Sequence, residues 1–496
     1  MWAGHNIGQP ILSCSTISPA HVKDVCVIPC RLLVMYSSSL LLSVAAVAQT
    51  VHGVQTSVDL SKTLAPLPSA QFAHFSAKPD VTITVDETKR FQTIDGFGAA
   101  FVEGSAYLLQ HDLTPQQRSD VMTRLFDQKR GIGLSAMRLP IASTDLSRTH
   151  YSYDDMPEGQ SDPEMQHFSV EKDRADVFPT VREALKLNPH MTLIASPWSM
   201  PAWMKTKLTM NGGMLRGDAE PAYAKYLVRS LQAFAKEGIT PQYLTIQNEP
   251  LNETKNYPGS LLLADQAERF IGKDLGPSLR AAGLKTQVLA YDHNWDHPEY
   301  PLSVIADPAA RPYMAGSAMH CYGGKADVQD DMHAKDPQMG IWMTECSGGT
   351  WQKEAPLTVT AHLVISSTQH WAKAVTLWGI ALDPKGNPHA GGCGTCRGLL
   401  TIDATKKPSA ITWNGDFYAL AHASKFVHPG AVHIASSTTT DSVDQVAFQD
   451  TDGTIVLIAF NGTVESRTMD VQWHTRTAHL TLPAMSLVTY TWNAAR

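Results

Sequence analysis

The sequence predicts a (β/α)8 barrel of the TIM type with an antiparallel β-sandwich attached, the sandwich built from the C-terminal region plus an N-terminal strand. Three observations predict it. Strand-like and helix-like runs alternate from about residue 92 to 383, which is the mark of a parallel sheet with crossover helices. After Asp403 the pattern changes to short β-rich runs broken by Asp-Gly, Asn-Gly and polar turns. Two of the apolar runs in the alternating part end on a glutamate, Glu249 and Glu345.

At 496 residues the chain exceeds one ordinary core, so a barrel with an attachment fits its length. The organisation expected is an upstream segment 1–48, an N-terminal stretch 49–91 that gives strand structure to the sandwich, a barrel 92–403 and a sandwich 404–496. In the upstream segment an apolar stretch from Leu40 follows Arg31 and ends on the small-x-small triplet Ala46-Val47-Ala48. It is too short to span a bilayer comfortably and reads as a secretory signal near 31–48, which implies export and no transmembrane anchor; the bland alternative is a buried apolar helix.

Barrel strands are expected at 94–101, 134–140, 192–196, 243–248, 286–291, 316–322, 340–344 and 375–382. Between them lie stretches such as 221–237 and 261–282 with apolar residues at helical spacing. An open doubly wound sheet would alternate too, but no Gly-rich phosphate loop follows the first strand; Gly96-Phe97-Gly98 is too short a match. Sandwich strands are expected at 81–85, then at 431–436, 445–450, 454–461, 468–473, 478–482 and 485–492.

Composition narrows the function classes. With 43% hydrophobic and 18% charged residues the chain reads as a globular protein, and a net charge of −7 gives no reason to expect nucleic acid or an anionic membrane as partner. Of seven cysteines, Cys393 and Cys396 have the spacing of a small disulfide loop, while Cys346 reads as a buried thiol. A zinc site would need a second ligand pair with suitable spacing, and His293, Asp296 and His297 do not supply one. No metal and no cofactor are expected.

In such a barrel the active site lies at the C-terminal ends of the strands. Those ends carry Arg138 with Asp145 (strand two), Trp198 with Trp203 and Lys205 (three), Asn248 and Glu249 (four) and Asp292, His293 and Asn294 (five). His320 and Tyr322 follow on strand six, Glu345 on seven and Trp378 on eight. An ionised carboxylate at the tip of an apolar strand is costly unless it is used. A pair of them is what glycoside hydrolysis needs, one to protonate a leaving oxygen and one to attack or to activate water. Aromatic faces, amides and carboxylates together suit a neutral polyhydroxylated ring. The physical reading gives the pair but does not decide which glutamate takes which role. His320 reads as a packing or supporting histidine.

Six segments in order resemble glycoside hydrolase family 30, the group that contains glucosylceramidases and endo-β-1,6-glucanases. They are Met137 to Asp145, Ala195 to Thr206, Gln247-Asn248-Glu249-Pro250, His320-Cys321-Tyr322, Thr344-Glu345-Cys346 and Leu377 to Asp383. The resemblance implies a retaining hydrolase with Glu249 as general acid/base and Glu345 as nucleophile; in those roles burial and the charge of Glu345 are expected to raise Glu249, and Arg138 to keep Glu345 ionised. It further implies that Tyr322 hydrogen-bonds the nucleophile and Asn248 grips the 2-hydroxyl. Asp145, Trp198 and Trp378 would line the terminal-sugar subsite, with a cis peptide beside Trp378. The implied partner is a neutral β-glucoside, glycolipid or β-glucan. Tyr151 to Asp155 favours the glucosylceramidase branch, and Ala290 to Asn294 with Pro298 to Pro301 the glucanase branch. A β-xylosidase-type enzyme and a non-catalytic carbohydrate-binding barrel are the weaker alternatives. The chain departs from the glucosylceramidase pattern at strand eight, where Gly379 replaces an amide, and it also carries the Gly391 to Arg397 loop with its cysteine pair.

Overall fold

The computed structural model describes residues 49–73, 78–440 and 442–494. The expected signal segment and Cys14, Cys26 and Cys30 lie outside the described residues. Eight parallel strands close into a barrel in chain order: Gly96–Ala100, Ala136–Ile141, Thr192–Pro197, Tyr243–Thr245, Gln287–Asn294, Met314–His320, Gly340–Glu345 and Ala372–Leu377. Their lower interior is filled by Ala136, Ile194, Leu289, Ala318, Trp342 and Ala374, a small cluster apart from the main core. Trp342 closes the floor, with its indole N–H on Asp95 Oδ2 at 2.8 Å. Gly98 is required here, because a Cβ would lie 1.7 Å from the Ala136 carbonyl oxygen.

Side chains alternate along a strand, so the next inward positions above this floor are Arg138, Ser196, Thr245 and Thr344. Strand five breaks the alternation. Leu289 points inward, a register shift falls between Tyr291 and His293, and both Tyr291 and Asp292 adopt positive φ (77° and 68°). A bulge of this kind re-aims one side chain, and here it turns Asp292 into the barrel.

Several boundaries differ from expectation for local reasons. Strand four ends at Thr245 rather than 248, because Asn248 N–H donates to Pro197 O and Glu249 N–H to Asp292 O while Glu249 sits at φ 47°. Strand eight stops at Leu377, and Gly379 at φ 84° turns the chain into the separate strand Ala381–Leu382. The helix expected over 261–282 is interrupted by a π-turn, Phe270–Leu275. Pro277 just beyond it has no N–H to return to the preceding turn.

The sandwich is one nine-stranded sheet, ordered Ala65–Gln71, Thr50–Ser57, Ser486–Asn493, Thr454–Asn461, Val443–Gln449, Val432–Thr438, Val81–Thr93, Arg467–Trp473 and Arg476–Leu482. The N-terminal segment thus gives three strands, and the pairing of Val81–Thr93 with Arg467–Trp473 is parallel, against the all-antiparallel expectation. Pro66 and Pro68 sit in the terminal strand of this order, where a missing donor is tolerated. Strand Thr454–Asn461 is apolar throughout because both its faces are covered. Ile455, Leu457 and Ala459 join the sandwich core, whereas Val456, Ile458 and Phe460 join the barrel core.

The buried helix Gly415–Ser424 packs on helix Pro356–Gln369 and touches strand Ser486–Asn493. Its His422 is fully buried and bonds Thr489 Oγ1 at 2.8 Å and Thr56 Oγ1 at 2.9 Å. Burial alone pushes this imidazole down to about 3. The folded protein therefore keeps His422 neutral where the unfolded chain would protonate it, and stability present above the ordinary pKa of about 6.5 falls as pH drops toward 3. The slope from this one group is about 1.4 kcal/mol per pH unit. Thermal midpoints measured from pH 7 to pH 4 should fall less steeply in His422→Gln than in the parent; parallel curves would refute this role.

Candidate active site

The centre of the barrel mouth is a buried cation. Arg138 has no exposed side-chain surface, and its guanidinium donates to Glu345 Oε2, Asp292 Oδ2 (2.6 Å), Asn248 Oδ1 (2.9 Å) and Ser196 Oγ (3.1 Å). Asp292 is held in turn by Ser196, Thr245 and Thr344 hydroxyls at 2.7–2.8 Å. This is the inward layer of strands two to seven, so the barrel pleat itself assembles the cluster. Arg138 and the His320 and Thr245 contacts hold the Asp292 carboxyl well below its ordinary range, although burial opposes them.

His320 links the two halves of the site. Its Nε2 bonds Asp292 Oδ1 at 3.0 Å, and its Nδ1 faces Glu249 Oε1 at 3.3 Å and Glu345 Oε1 at 4.0 Å. Burial pulls the imidazole down, but Glu345, Asp292 and Glu249 raise it to about 9. One carboxylate oxygen of Glu249, one of Glu345 and a ring nitrogen of His320 all lie within 4.8 Å of one another. Among the described residues these three are the close trio with metal-ligand atoms; His297 turns away to Glu299.

The two glutamates have different partners. Glu345 accepts from Arg138 and from the Tyr322 hydroxyl (2.8 Å). Burial nevertheless raises it, against the pull of His320 and Arg138. Glu249 accepts from Asn252 Nδ2 at 2.8 Å as well as facing His320. Burial pushes Glu249 up, but His320, His293 and Asn252 outweigh it and hold the carboxyl at about 2. The expectation of a raised Glu249 is therefore corrected: the neighbouring cation, not the neighbouring carboxylate, dominates.

These groups open on a cavity of about 360 Å³. At its closed end Trp198 and Trp378 stack at 4.5 Å, with the Arg138 guanidinium 4.6 Å from the Trp198 ring centre. Asp145 also lines it. Burial first, then the charges of Glu345 and Glu249, raise Asp145 to about 7, and its Oδ1 is buried without a hydrogen-bond partner. The expected cis peptide beside Trp378 is absent: the cis bonds among the described residues are Asn387-Pro388 and Lys407-Pro408.

All nine residues singled out from the sequence meet here. Glu249, Glu345, Asp145, Trp198, Asn248, Tyr322 and Trp378 line the cavity, and Arg138 and His320 lie beneath it. Trp203 and Lys205 do not join them. Trp203 donates to Asp154, and Lys205 is buried on Ser199 Oγ and two carbonyls. Sequence reasoning collected Asp292 at a strand tip but gave it no role, and it missed Asn252, Tyr257 and Trp351. A lone tryptophan six residues beyond Glu345 was the one legible signal among these.

Cys346 is not a free thiol. It is bonded to Cys321, tying the tips of strands six and seven between His320, Tyr322 and Glu345. The second disulfide, Cys393–Cys396, is the one its spacing suggested, and both its residues line the cavity.

Comparison with known proteins gives a consistent result. Residues 94–427 match the model of the glycosyl hydrolase family 30 TIM-barrel domain, and residues 430–490 that of the family 30 beta sandwich domain. An endo-1,6-beta-D-glucanase of Neurospora crassa is 37% identical over 364 residues, covering 71% of this chain and 74% of that protein. A putative glucosylceramidase of Caenorhabditis elegans is 34% identical over 407 residues, 76% of each chain. A solved endo-beta1,6-glucanase superposes with a TM-score of 0.83 at 31% identity, covering 90% of this chain and 99% of its own.

Asp292 holds Arg138 and His320 in place at once. Asp292→Asn should cost about 3–5 kcal/mol of stability by leaving buried charges half-paired, and at least a hundredfold in kcat/KM. Thermal unfolding and steady-state kinetics check it; activity within twofold of the parent would contradict it.

Proposed function

The chain belongs to glycosyl hydrolase family 30, and from that premise we propose that this glycoside hydrolase cleaves β-glucosidic bonds with retention of configuration. One observation carries the reading: a carboxylate oxygen of Glu249 and one of Glu345 lie within 4.8 Å of each other. Retaining enzymes keep their carboxyl groups about 5–5.5 Å apart, whereas inverting ones leave roughly 6.5–9.5 Å for a water.

In this reading Glu345 attacks the anomeric carbon. Arg138 and Tyr322 donate to it and favour the ionised form that attack needs. Glu249 gives its proton to the leaving oxygen and then takes one from water as the glycosyl ester is hydrolysed. The nearest source of that proton is His320, whose Nδ1 lies 3.3 Å from Glu249 Oε1. A sugar ring expels water from the cavity, and lower polarity disfavours the charged His320–Glu249 pair relative to the neutral one. The proton then moves from Nδ1 to Glu249 Oε1, ready for the leaving group.

The terminal sugar occupies the closed end. The unpartnered Asp145 Oδ1 accepts from a ring hydroxyl, and Trp378 and Trp198 offer apolar edges to the ring. Arg138 occupies Asn248 Oδ1, so the amide's donor end is left for the 2-hydroxyl. Among β-glucosides a β-1,6-glucan is favoured by the 37% identity to a glucanase; glucosylceramide is the second reading, supported by the glucosylceramidase relative. Two disulfides at the site support a working place outside the reducing cytoplasm, and among the described residues no helix is long and apolar enough to cross a membrane.

A side-by-side assay on a β-1,6-glucan, glucosylceramide and an aryl β-glucoside, with products sized, tests the substrate. Oligosaccharide ladders support the glucanase reading, and glucose alone supports exo action. Glu345→Gln should lose turnover by at least a thousandfold with an unchanged unfolding midpoint; normal turnover would sink the nucleophile assignment. Glu249→Ala should lose most on sugar leaving groups and least on aryl ones, and equal losses on both would count against its acid role.

A further inference from the structure

The cavity mouth carries an aromatic surface that the terminal sugar does not use. Trp351 is 51% exposed and Tyr322 44%, although both line the same cavity as the two glutamates. A half-exposed indole costs free energy unless something covers it, yet this one is built in rather than loose. A Cβ at Gly349 would lie 1.9 Å from the Trp351 ring, so the indole lies flat on a backbone that only glycine leaves open. Gly348–Gly349 pairs with Cys396–Arg397, and Thr350 N–H donates to Thr395 O at 3.1 Å. Arg397 fixes this ribbon through Asp416 and through Gln352 Oε1, which also accepts from Gly349 N–H. The Cys393–Cys396 disulfide closes the partner loop on its other side, where Cys393 N–H reaches Asp145.

Glu249 lines the same cavity. Asn252 donates to both Glu249 Oε2 (2.8 Å) and the Tyr257 hydroxyl (3.1 Å), and Tyr257 and Asn256 are also among the lining residues. With the terminal sugar against the buried Trp198, Trp378 and Asp145, the leaving group that Glu249 protonates extends toward the exposed part of the cavity, where Trp351 stands. We infer that Trp351, held by the disulfide-closed ribbon, is the stacking platform for a second neutral sugar ring on the leaving-group side of the scissile bond. This rests on the β-glucoside reading above and narrows it to a glycan rather than a lipid aglycone.

The chemistry of the mouth favours a sugar over its competitors. No lysine or arginine lines the cavity, so an anionic leaving group finds no counter-charge. The cavity that the indole lines is also lined by Asn256, Ser347 and two tyrosines rather than by aliphatic side chains. An aromatic face beside hydroxyl and amide groups is the combination that a pyranose, with its C–H face and equatorial hydroxyls, fills.

Trp351→Ala and Trp351→Phe should be assayed on a β-linked gluco-oligosaccharide, on β-glucosyl fluoride, whose leaving group has no ring, and on glucosylceramide in detergent. The alanine variant should lose roughly tenfold in kcat/KM on the oligosaccharide, mostly through KM, and stay within twofold on the fluoride. Phenylalanine should restore most of the loss. Equal losses on oligosaccharide and fluoride, no loss on the oligosaccharide, or a loss confined to glucosylceramide would each overturn the platform. If the parent enzyme splits none of the three, the β-glucoside reading itself falls and the platform with it; a parent active on glucosylceramide but not on the oligosaccharide overturns the platform alone. A parent active on oligosaccharide and fluoride with an unaffected alanine variant removes the platform alone.

Discussion

A guanidinium with no exposed surface sits where the eight strands converge, and the rest of the site is arranged around the cost of that burial. An isolated charge in such a place would be prohibitively unfavourable, so Arg138 is tolerated only because Asp292 and Glu345 share it. Asp292 faces inward only because strand five carries a bulge with two consecutive residues at positive φ. Backbone strain on one strand thus supplies the anion that keeps a cation on another. The same Asp292 orients His320, so one carboxylate fixes the partners of both glutamates.

Cations and carboxylates are packed together in this buried layer, where the charges of Glu345, Asp292 and Glu249 raise His320 and the charge of His320 helps hold Glu249 down. The disulfide between strands six and seven serves the same layer: it ties the segment bearing His320 and Tyr322 to the one bearing Glu345.

Much of this was legible in the linear chain. Runs ending on Glu249 and Glu345, with Arg138, Asn248, His320 and Trp378 at the other tips, placed the constellation because strand position and strand parity are written in hydrophobic pattern. What escaped depended on relations between distant segments. Asp292 turns inward through a bulge, which no local composition announces. Cys346 looked like an isolated thiol because its partner, Cys321, belongs to another strand, whereas Cys393 and Cys396 are close enough in sequence to suggest their bond. The low position of Glu249 follows from a histidine 71 residues away, at a distance that only folding sets. Strand Thr454–Asn461 read simply as a β-rich run, with nothing to say that two cores would claim it.

That strand has a consequence for the architecture as a whole. Its odd and even residues belong to different interiors, so no cut in the chain separates barrel from sandwich without opening a hole in each. The sandwich is therefore not a detachable module hung on a catalytic unit. Grafting this barrel onto another partner would mean redesigning an interior, not a linker.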